Sequence, residues 1–573
     1  MKKILIICGL ALFFFQGHSQ SKGKATPKGQ FSIYYSRYER GAIDEESNPI
    51  ILTIEGLRSR IIESFGEKKM ISQVPKEEGF VLIDSAKCYQ TASLKSGEKI
   101  MYITPFDKLP KLEFTGKLDT ILGYPCKIFK TVVRSNQVEI SVSQAFGLAN
   151  ASPIPSLGIP NGVVLKIVIN GNSEVIATKI VENIASKKIS LPFDFRLVSA
   201  SLYRSIIANG YITNVSIFEN EQICFGCVDN KIINDNKISQ TLKFANGTVI
   251  LKKVFLPKIS NGQVFAELTE FSNGDAYDRT GSIFIIPTNS KITFLQGCFD
   301  SLKSLPIYTD NLGKTYQGVV ATDNYSPIIE LIRFYTPFGV KQYNNQVIVE
   351  GLQWADSAYY KQEITSLLPI LTDEVWIGAF IGNYDKGGHK INLRLKYYPD
   401  SKEIIEKKEK KRWICPLFCT NNVLEMAGQE YGTMFSNDSL TVKFTIPQGV
   451  TNLKLRYIST GHGGWDGGDE FTPKKNEIFI DEKKVFEVTP WRTDCGTYRL
   501  SNPASGNFWN GTSSSDYSRS GWCPGTATNP IEISLENLTP GVHELKLAIP
   551  QGKAEGGSFS SWNVSGVLIG DQN

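Results

Sequence analysis

Apolar residues at every second position recur from one end of the chain to the other, and that period fixes the kind of element it can form. Phe31, Ile33 and Tyr35 show it, as do Val138, Ile140 and Val142, then Ile391, Leu393, Leu395 and Tyr397. Leu440, Val442, Phe444 and Ile446 follow, then Ile531, Ile533 and Leu535, and finally Leu545, Leu547 and Ile549. Polar residues fill most of the gaps, as a half-buried antiparallel strand requires, because successive side chains point to opposite faces of the sheet. Turn signals separate the runs: Asn161-Gly162, Asn170-Gly171, Asn246-Gly247, Asn261-Gly262 and Asn273-Gly274. The fold class expected is all-β, in sandwiches, jelly rolls or barrels. Helical periodicity is scarce. Asp356 to Leu367 reads as one short helix, and Lys402 to Arg412 (KEIIEKKEKKR) reads as a solvated linker rather than a binding patch.

A chain of 573 residues exceeds a single core, since domains run to roughly 150 residues. The charged run is the sharpest boundary, with strands ending near Tyr397-Tyr398-Pro399 and resuming near residue 436. A softer one falls at the polar cluster Asp229 to Asn236. The expected domains are therefore 21–236, 237–400 and 401–573, behind a leader at 1–20. Lys2 and Lys3, the apolar run Ile4 to Phe15 and the small or polar stretch Gly17 to Gln20 form the three regions of a signal peptide. That run is too short to span a membrane. Export to the periplasm or medium follows, with no membrane insertion, and Cys8 leaves with the leader. Nine cysteines remain, Cys88, Cys126, Cys224, Cys227, Cys298, Cys415, Cys419, Cys495 and Cys523, so an oxidising compartment permits up to four disulfides and leaves one thiol over. Cys224-Phe-Gly-Cys227 reads as a local structural disulfide, and Cys415, Cys419 and Cys298 as a clip near the linker.

The net charge of +5 is too small for a nucleic-acid footprint. Beyond the leader stand three histidines, His389, His462 and His543, none at HxxxH spacing, so no metal and no cofactor are expected. The densest constellation is Gly461-His462-Gly463-Gly464-Trp465-Asp466-Gly467-Gly468-Asp469-Glu470, where five glycines surround a histidine, a tryptophan and three acids. The calcium-loop pattern DxDxDG is absent from it. Trp509, Arg519, Trp522 and Cys523 follow, and rings beside arginine and aspartate suit a sugar, offering CH faces a platform and hydroxyls charged partners. Upstream, Gly274-Asp275-Ala276-Tyr277-Asp278-Arg279 leads into a strand; an arginine beside an aspartate favours the ionised form that a base needs.

These segments resemble the peptide-N-glycosidase F family. The resemblance is strongest from Leu453 to Gly525, in LRYISTGH, GDEF and SRSGWCPG, and thinner from about 240 to 400, where YDR and the FYTP near Phe334 keep their order; it does not extend over 21–236. It implies two adjacent jelly-roll sandwiches after an additional β-rich N-terminal domain. It also implies a monomeric amidase, free of metal, that hydrolyses the bond between asparagine and the innermost N-acetylglucosamine of an N-glycoprotein. Under it Asp278 and Glu470 are the catalytic acids. Arg279, Tyr277, His462, Arg519 and Trp522 shape the sugar cleft, with Trp465 as a further ring, and Cys495 and Cys523 form a disulfide. The sequence departs from the family where a second glutamate falls on Phe380, a sugar-stacking tryptophan on Gly382, and the tryptophan before Gly-His on Thr460; a disulfide flanking the family's glutamate is also missing.

Three other readings stand beside this one. A glycoside hydrolase also needs paired carboxylates. A jelly roll can bind glycans without catalysis. A hydrolase built on His462 has no GxSxG elbow to frame a nucleophile. The segment 21–236 carries no catalytic constellation and reads as an accessory domain.

Overall fold

The computed structural model describes residues 27–572 except 28, 45–46, 48, 64–74, 95, 184–187, 192, 232–239, 260–261, 400–410, 464–467 and 552–559. The leader, most of the charged run and Trp465 lie outside the described residues. The chain forms two compact units, Met1–Tyr211 and Ile212–Asn573.

The first unit is built on one 13-stranded sheet. At its middle Phe31–Glu39 pairs with Ile50–Glu55 on one side and Ser173–Glu182 on the other, and hairpins extend it in both directions. The period-2 residues behave as their spacing demands: Ile33, Tyr35, Val138, Ile140 and Val142 are buried in one core with Leu52 and Leu165. Tyr35 satisfies its hydroxyl within that core by donating to the Val164 carbonyl at 2.6 Å. Asn170 and Gly171 both take positive φ, 51° and 71°, as a tight turn between Val163–Ile169 and Ser173–Glu182 requires. The helix Ala200–Gly210 has no counterpart in the sequence expectations; Ser199 caps it by accepting from Leu202 N, and it buries only Tyr203 and Ile207. Two buried positions one turn apart are too faint a stripe to read.

The second unit contains two sandwiches. In the first, the sheet of Thr213–Ile223, His389–Pro399, Gly262–Ser272 and Ala358–Glu363 shares a core with a six-stranded sheet that includes Asp373–Ile381, Thr280–Ile286 and Ile329–Tyr335. Its opening strand, Thr213–Ile223, lies ahead of residue 236. In the second, Lys411–Cys419, Ser561–Gln572, Val450–His462 and Ile531–Ser534 share a core with Leu440–Ile446, Gly541–Ala548, Asn476–Ile480 and Lys483–Val488. Strands thus resume at Lys411, ahead of the expected 436. The all-β class stands.

The expected helix at Asp356–Leu367 is instead the strand Ala358–Glu363 followed by the short 3-10 helix Thr365–Ile370. Ala358, Tyr360 and Gln362 are buried while Tyr359, Lys361 and Glu363 face out, because the segment is zipped onto Gly262–Ser272. Cys224 pairs with Cys227, and Cys495 with Cys523. The expected clip does not form, and Cys298, Cys415 and Cys419 are free thiols, as are Cys88 and Cys126. Cys415 and Cys419 lie four positions apart on one extended strand, which separates them by roughly 13 Å, well beyond disulfide reach.

The two sandwiches are stitched together by buried charge. Glu330 accepts from Arg333, Ser282 and Ser565, each at 2.7 Å, and Arg333 donates across to Thr460 Oγ1 at 3.0 Å and the Asn563 carbonyl at 2.9 Å. The short strand Ala527–Thr528, from the C-terminal part of the chain, pairs with Ile329–Tyr335 of the first sandwich.

Candidate functional site

Asp278 lies near the end of the loop between Gly262–Ser272 and Thr280–Ile286, and local hydrogen bonds shape that loop. Asn273 N donates to the Gly388 carbonyl at 2.8 Å, and Gly274 N to Ser272 Oγ at 3.2 Å. Glycine suits position 274, since a Cβ there would stand 2.3 Å from Asp385 Oδ1, an oxygen that Gly387 N and Gly388 N hold in place. Glu470 comes from the second sandwich, in a turn fixed by its neighbour: Trp562 Nε1 donates to Asp469 Oδ2 at 2.7 Å, and Ser520 N donates to the Glu470 carbonyl at 2.9 Å. Gly461 allows this packing, because a Cβ there would lie 2.9 Å from the Asp469 carbonyl.

One guanidinium joins the two acids. Arg519, 1% exposed, donates from Nε to Glu470 Oε1 at 2.9 Å and holds Nη2 3.6 Å from Asp278 Oδ2. Its Nη1 is taken by the Ser514 and Tyr517 carbonyls at 2.7 and 3.1 Å, and its face lies 5.0 Å from the rings of Phe471 and Trp522. The Asp278 and Glu470 side chains keep 17% and 21% exposure, so both acids are reachable. Burial pushes the Asp278 carboxyl up, Arg519 opposes that and Glu470 adds to it, leaving it at about 7. The ionisation expected from its arginine neighbour is thus outweighed by desolvation. Burial also raises Glu470, against the pull of Arg519. A carboxyl that titrates near neutrality beside a cation can take a proton from water.

Arg279 pairs with a different acid. It donates from Nε to Asp275 Oδ2 at 2.7 Å and from Nη2 to Asp275 Oδ1 at 3.2 Å, and its guanidinium sits 5.0 Å from the Tyr277 ring and 5.3 Å from the Tyr384 ring. Tyr277 is 62% exposed, an open ring face beside Asp278. Trp522 is 3% exposed: its ring stacks on Tyr335 at 4.1 Å and its Nε1 donates to the Gly461 carbonyl. It is a wall that fixes Arg519, and its ring presents no open face to a sugar. His462 Nε2 lies 3.0 Å from both the Tyr335 hydroxyl and Thr460 Oγ1, and burial, with Arg333, pushes its imidazole down to about 3. It is neutral at working pH, and Thr460 is fully buried, so this histidine frames no accessible nucleophile. The Cys495–Cys523 disulfide adjoins Trp522. Phe380, where the family's second glutamate falls, is a core residue. Among the described residues no group of three His, Cys, Asp or Glu side chains is placed to hold a metal ion.

The sequence reading missed several residues. Tyr384 is an exposed ring whose hydroxyl donates to Glu425, as does that of Tyr431, and Glu425 Oε2 lies 3.4 Å from where a Cβ on Gly382 would stand. His389, Glu270 and Asp275 form a buried charged cluster behind the Asp278 loop. No spacing joins these positions; strand pairing alone brings them together.

Family models match three successive stretches of the chain: an N-glycanase peptide N-terminal domain at 33–201, the N-terminal part of peptide-N-glycosidase F at 214–397, and its C-terminal part at 430–569. The solved structure of PNGF-II in the P21 space group is 42% identical, with TM-score 0.83, over 95% of this chain and 100% of its own. This chain belongs to the peptide-N-glycosidase F family. PNGF-II in the C2 space group is 41% identical with TM-score 0.74, over 95% of this chain and 98% of that one. PNGase F, a glycosylasparaginase from Flavobacterium meningosepticum, is 15% identical with TM-score 0.42, over 63% of this chain and 96% of that one. Among curated proteins no similar sequence is found. The match at 33–201 overturns the expectation that family likeness leaves 21–236 uncovered. Membership gives the chain an N-glycan-related amidase or glycan-processing role on a glycoprotein substrate. Among the described residues no helix is long and apolar enough to cross a membrane.

Proposed function

We propose that this protein is an exported amidase that hydrolyses the bond between asparagine and the innermost N-acetylglucosamine of an N-glycoprotein. The observation that carries this is the meeting of Asp278 and Glu470 on the single guanidinium of Arg519, two carboxylates from the two family-matched halves. Asp278 takes a proton from water as the water oxygen bonds to the side-chain amide carbon. Arg519 balances the negative charge that grows between the carboxylates and the carbonyl oxygen. The C–N bond then breaks and the proton returns to the nitrogen, so the glycan leaves as its glycosylamine and aspartate remains. Glu470 holds the attacking water or a sugar hydroxyl; Tyr277 offers its open ring to a pyranose face, and Arg279 lines the same wall. The raised carboxyl of Asp278 makes the activity grow as pH rises through about 7. The leader at 1–20 and the two disulfides accord with export.

The test is a defined N-glycopeptide incubated with wild type, Asp278→Asn and Glu470→Gln. Asp278→Asn should cut glycan release by about 10² to 10⁴-fold while the glycopeptide still binds. Release at the wild-type rate from Asp278→Asn would refute the assignment.

A further inference from the structure

Behind the Asp278 loop lies a chain of charges that no step above uses. His389, at the start of the strand His389–Pro399, is fully buried. Its Nδ1 lies 2.7 Å from Glu270 Oε1, on Gly262–Ser272, and its Nε2 lies 3.7 Å from Asp275 Oδ2, in the loop. Nε2 has no hydrogen-bond partner, and the aspartate is the acid it faces. Glu270 also receives the Tyr360 hydroxyl at 3.4 Å, from the strand Ala358–Glu363, and that hydroxyl lies 2.9 Å from the Tyr335 carbonyl. On its far side Asp275 takes two hydrogen bonds from Arg279, and its Oδ1 accepts from Tyr277 N at 3.0 Å.

Tyr277 and Arg279 are the two neighbours of Asp278. Asp275 grips both, one by its backbone and the other by its side chain, and Arg279 N adds a donation to Thr336 Oγ1 at 2.8 Å. Where Asp278 stands is therefore set by where Asp275 stands, and Asp275 is buried with His389 and Arg279 on its two sides. A buried carboxylate without a counter-charge is costly, and the run of alternating sign Glu270, His389, Asp275, Arg279 supplies one at each step.

We propose that His389 and Asp275 are positioning residues, a buried imidazolium and carboxylate that clamp the loop so that Asp278 meets Arg519 and the attacked amide. The proposal rests on the reading of Asp278 as the base. The protonation of His389 agrees with the geometry: burial would lower its pKa, but the facing carboxylates of Asp275 and Glu270 raise it to about 9, while Asp275, against its own burial, is brought to about 2.

The test compares the full-length wild type with His389→Gln, Asp275→Asn and Asp278→Asn on one N-glycopeptide, with thermal melts of each. A clamp that acts through position predicts that His389→Gln and Asp275→Asn each lower kcat by about 10²-fold, because a displacement near 1 Å has that effect, with KM within about threefold. A folded His389→Gln with kcat within about twofold of wild type, or with its loss confined to KM, would overturn the clamp. Should Asp278→Asn lose nothing, the amidase reading and the clamp both fall; should Asp278→Asn be inactive while His389→Gln keeps its kcat, the clamp alone falls. If neither clamp variant folds, nitrogen NMR of the wild type decides, since few histidines need assigning: a His389 ring doubly protonated at neutral pH supports the clamp and a neutral ring contradicts it.

Discussion

The two compact units differ in what they bury. Among the described residues of the first unit the buried polar side chains are all hydroxyls, Ser32, Ser59, Thr91, Ser141, Ser143 and Ser152. The second unit buries Glu267, Glu270, Asp275, Asp310, Glu330, Arg333, His389, Arg456, Asp469 and Arg519. A buried charge costs several kcal/mol unless it is paired, so ten of them in one unit and none in the other, among the described residues, is a division of labour rather than a difference in packing. The first unit is held by apolar burial, with its ion pairs at the surface, as in Arg60 with Glu78. The second has its two sandwiches joined by Glu330 and Arg333, its loop backed by His389, and its acids bridged by Arg519. Perturbed carboxyls can mark where chemistry is done, and the two raised acids that share Arg519, Asp278 and Glu470, both lie in the second unit.

The largest effect that would break this contrast is at Asp278. Asp278→Asn should cut glycan release by about 10² to 10⁴-fold, the range for a general base, read as kcat/KM on a glycopeptide. Arg519→Met leaves two raised carboxyls without their shared cation; stability measured by denaturant should fall by about 3–5 kcal/mol, and the acid limb of kcat/KM should move above its wild-type position. Opening the Cys495–Cys523 bridge, which closes a loop with a sequence separation of 28, should cost about 3.6 kcal/mol and slow release by loosening Trp522 and Arg519.

A pH scan separates the units with no mutation at all. His389, His462 and His543 all belong to the second unit. His389 has its folded pKa raised from 6.5 to about 9, so its contribution is complete below 6.5 and is lost as pH climbs through 9, an upper bound of about 3 kcal/mol. His462 has its pKa lowered to about 3, so the second unit also weakens as pH falls from 6.5 toward 3. Calorimetry should show the transition of the second unit moving between pH 6.5 and 9 while that of the first holds. The smallest effect sharpens the contrast from the other side: Arg60→Ala, at a half-exposed pair, should shift stability by less than about 1 kcal/mol and leave release unchanged.

Legibility in the sequence followed the same division. Period-2 runs such as Ile33 and Tyr35 gave their strands away because each buries one face against one core. Asp278, Glu470 and Arg519 are singled out by a family resemblance that short motifs carry, and the structure brings the three side chains together. His389 is not legible: a lone histidine at a strand start acquires its meaning only when Glu270 and Asp275, more than a hundred residues upstream, arrive beside it through strand pairing. Trp522 suits a sugar platform in sequence because a ring beside an arginine looks the same there whether it is open or stacked on Tyr335. The strand Ala358–Glu363 was missed because Tyr, Lys and Gln at its centre suit a helix surface as well as an edge strand, and pairing with Gly262–Ser272 decided it.

Whether the attacked bond is the asparagine amide is tested most directly by product analysis in heavy-oxygen water. A glycopeptide digested by the full-length protein should yield a peptide with aspartate in place of asparagine, carrying one oxygen from water, together with the intact glycan. A peptide that keeps N-acetylglucosamine on an unchanged asparagine would show cleavage between sugars and would contradict the account.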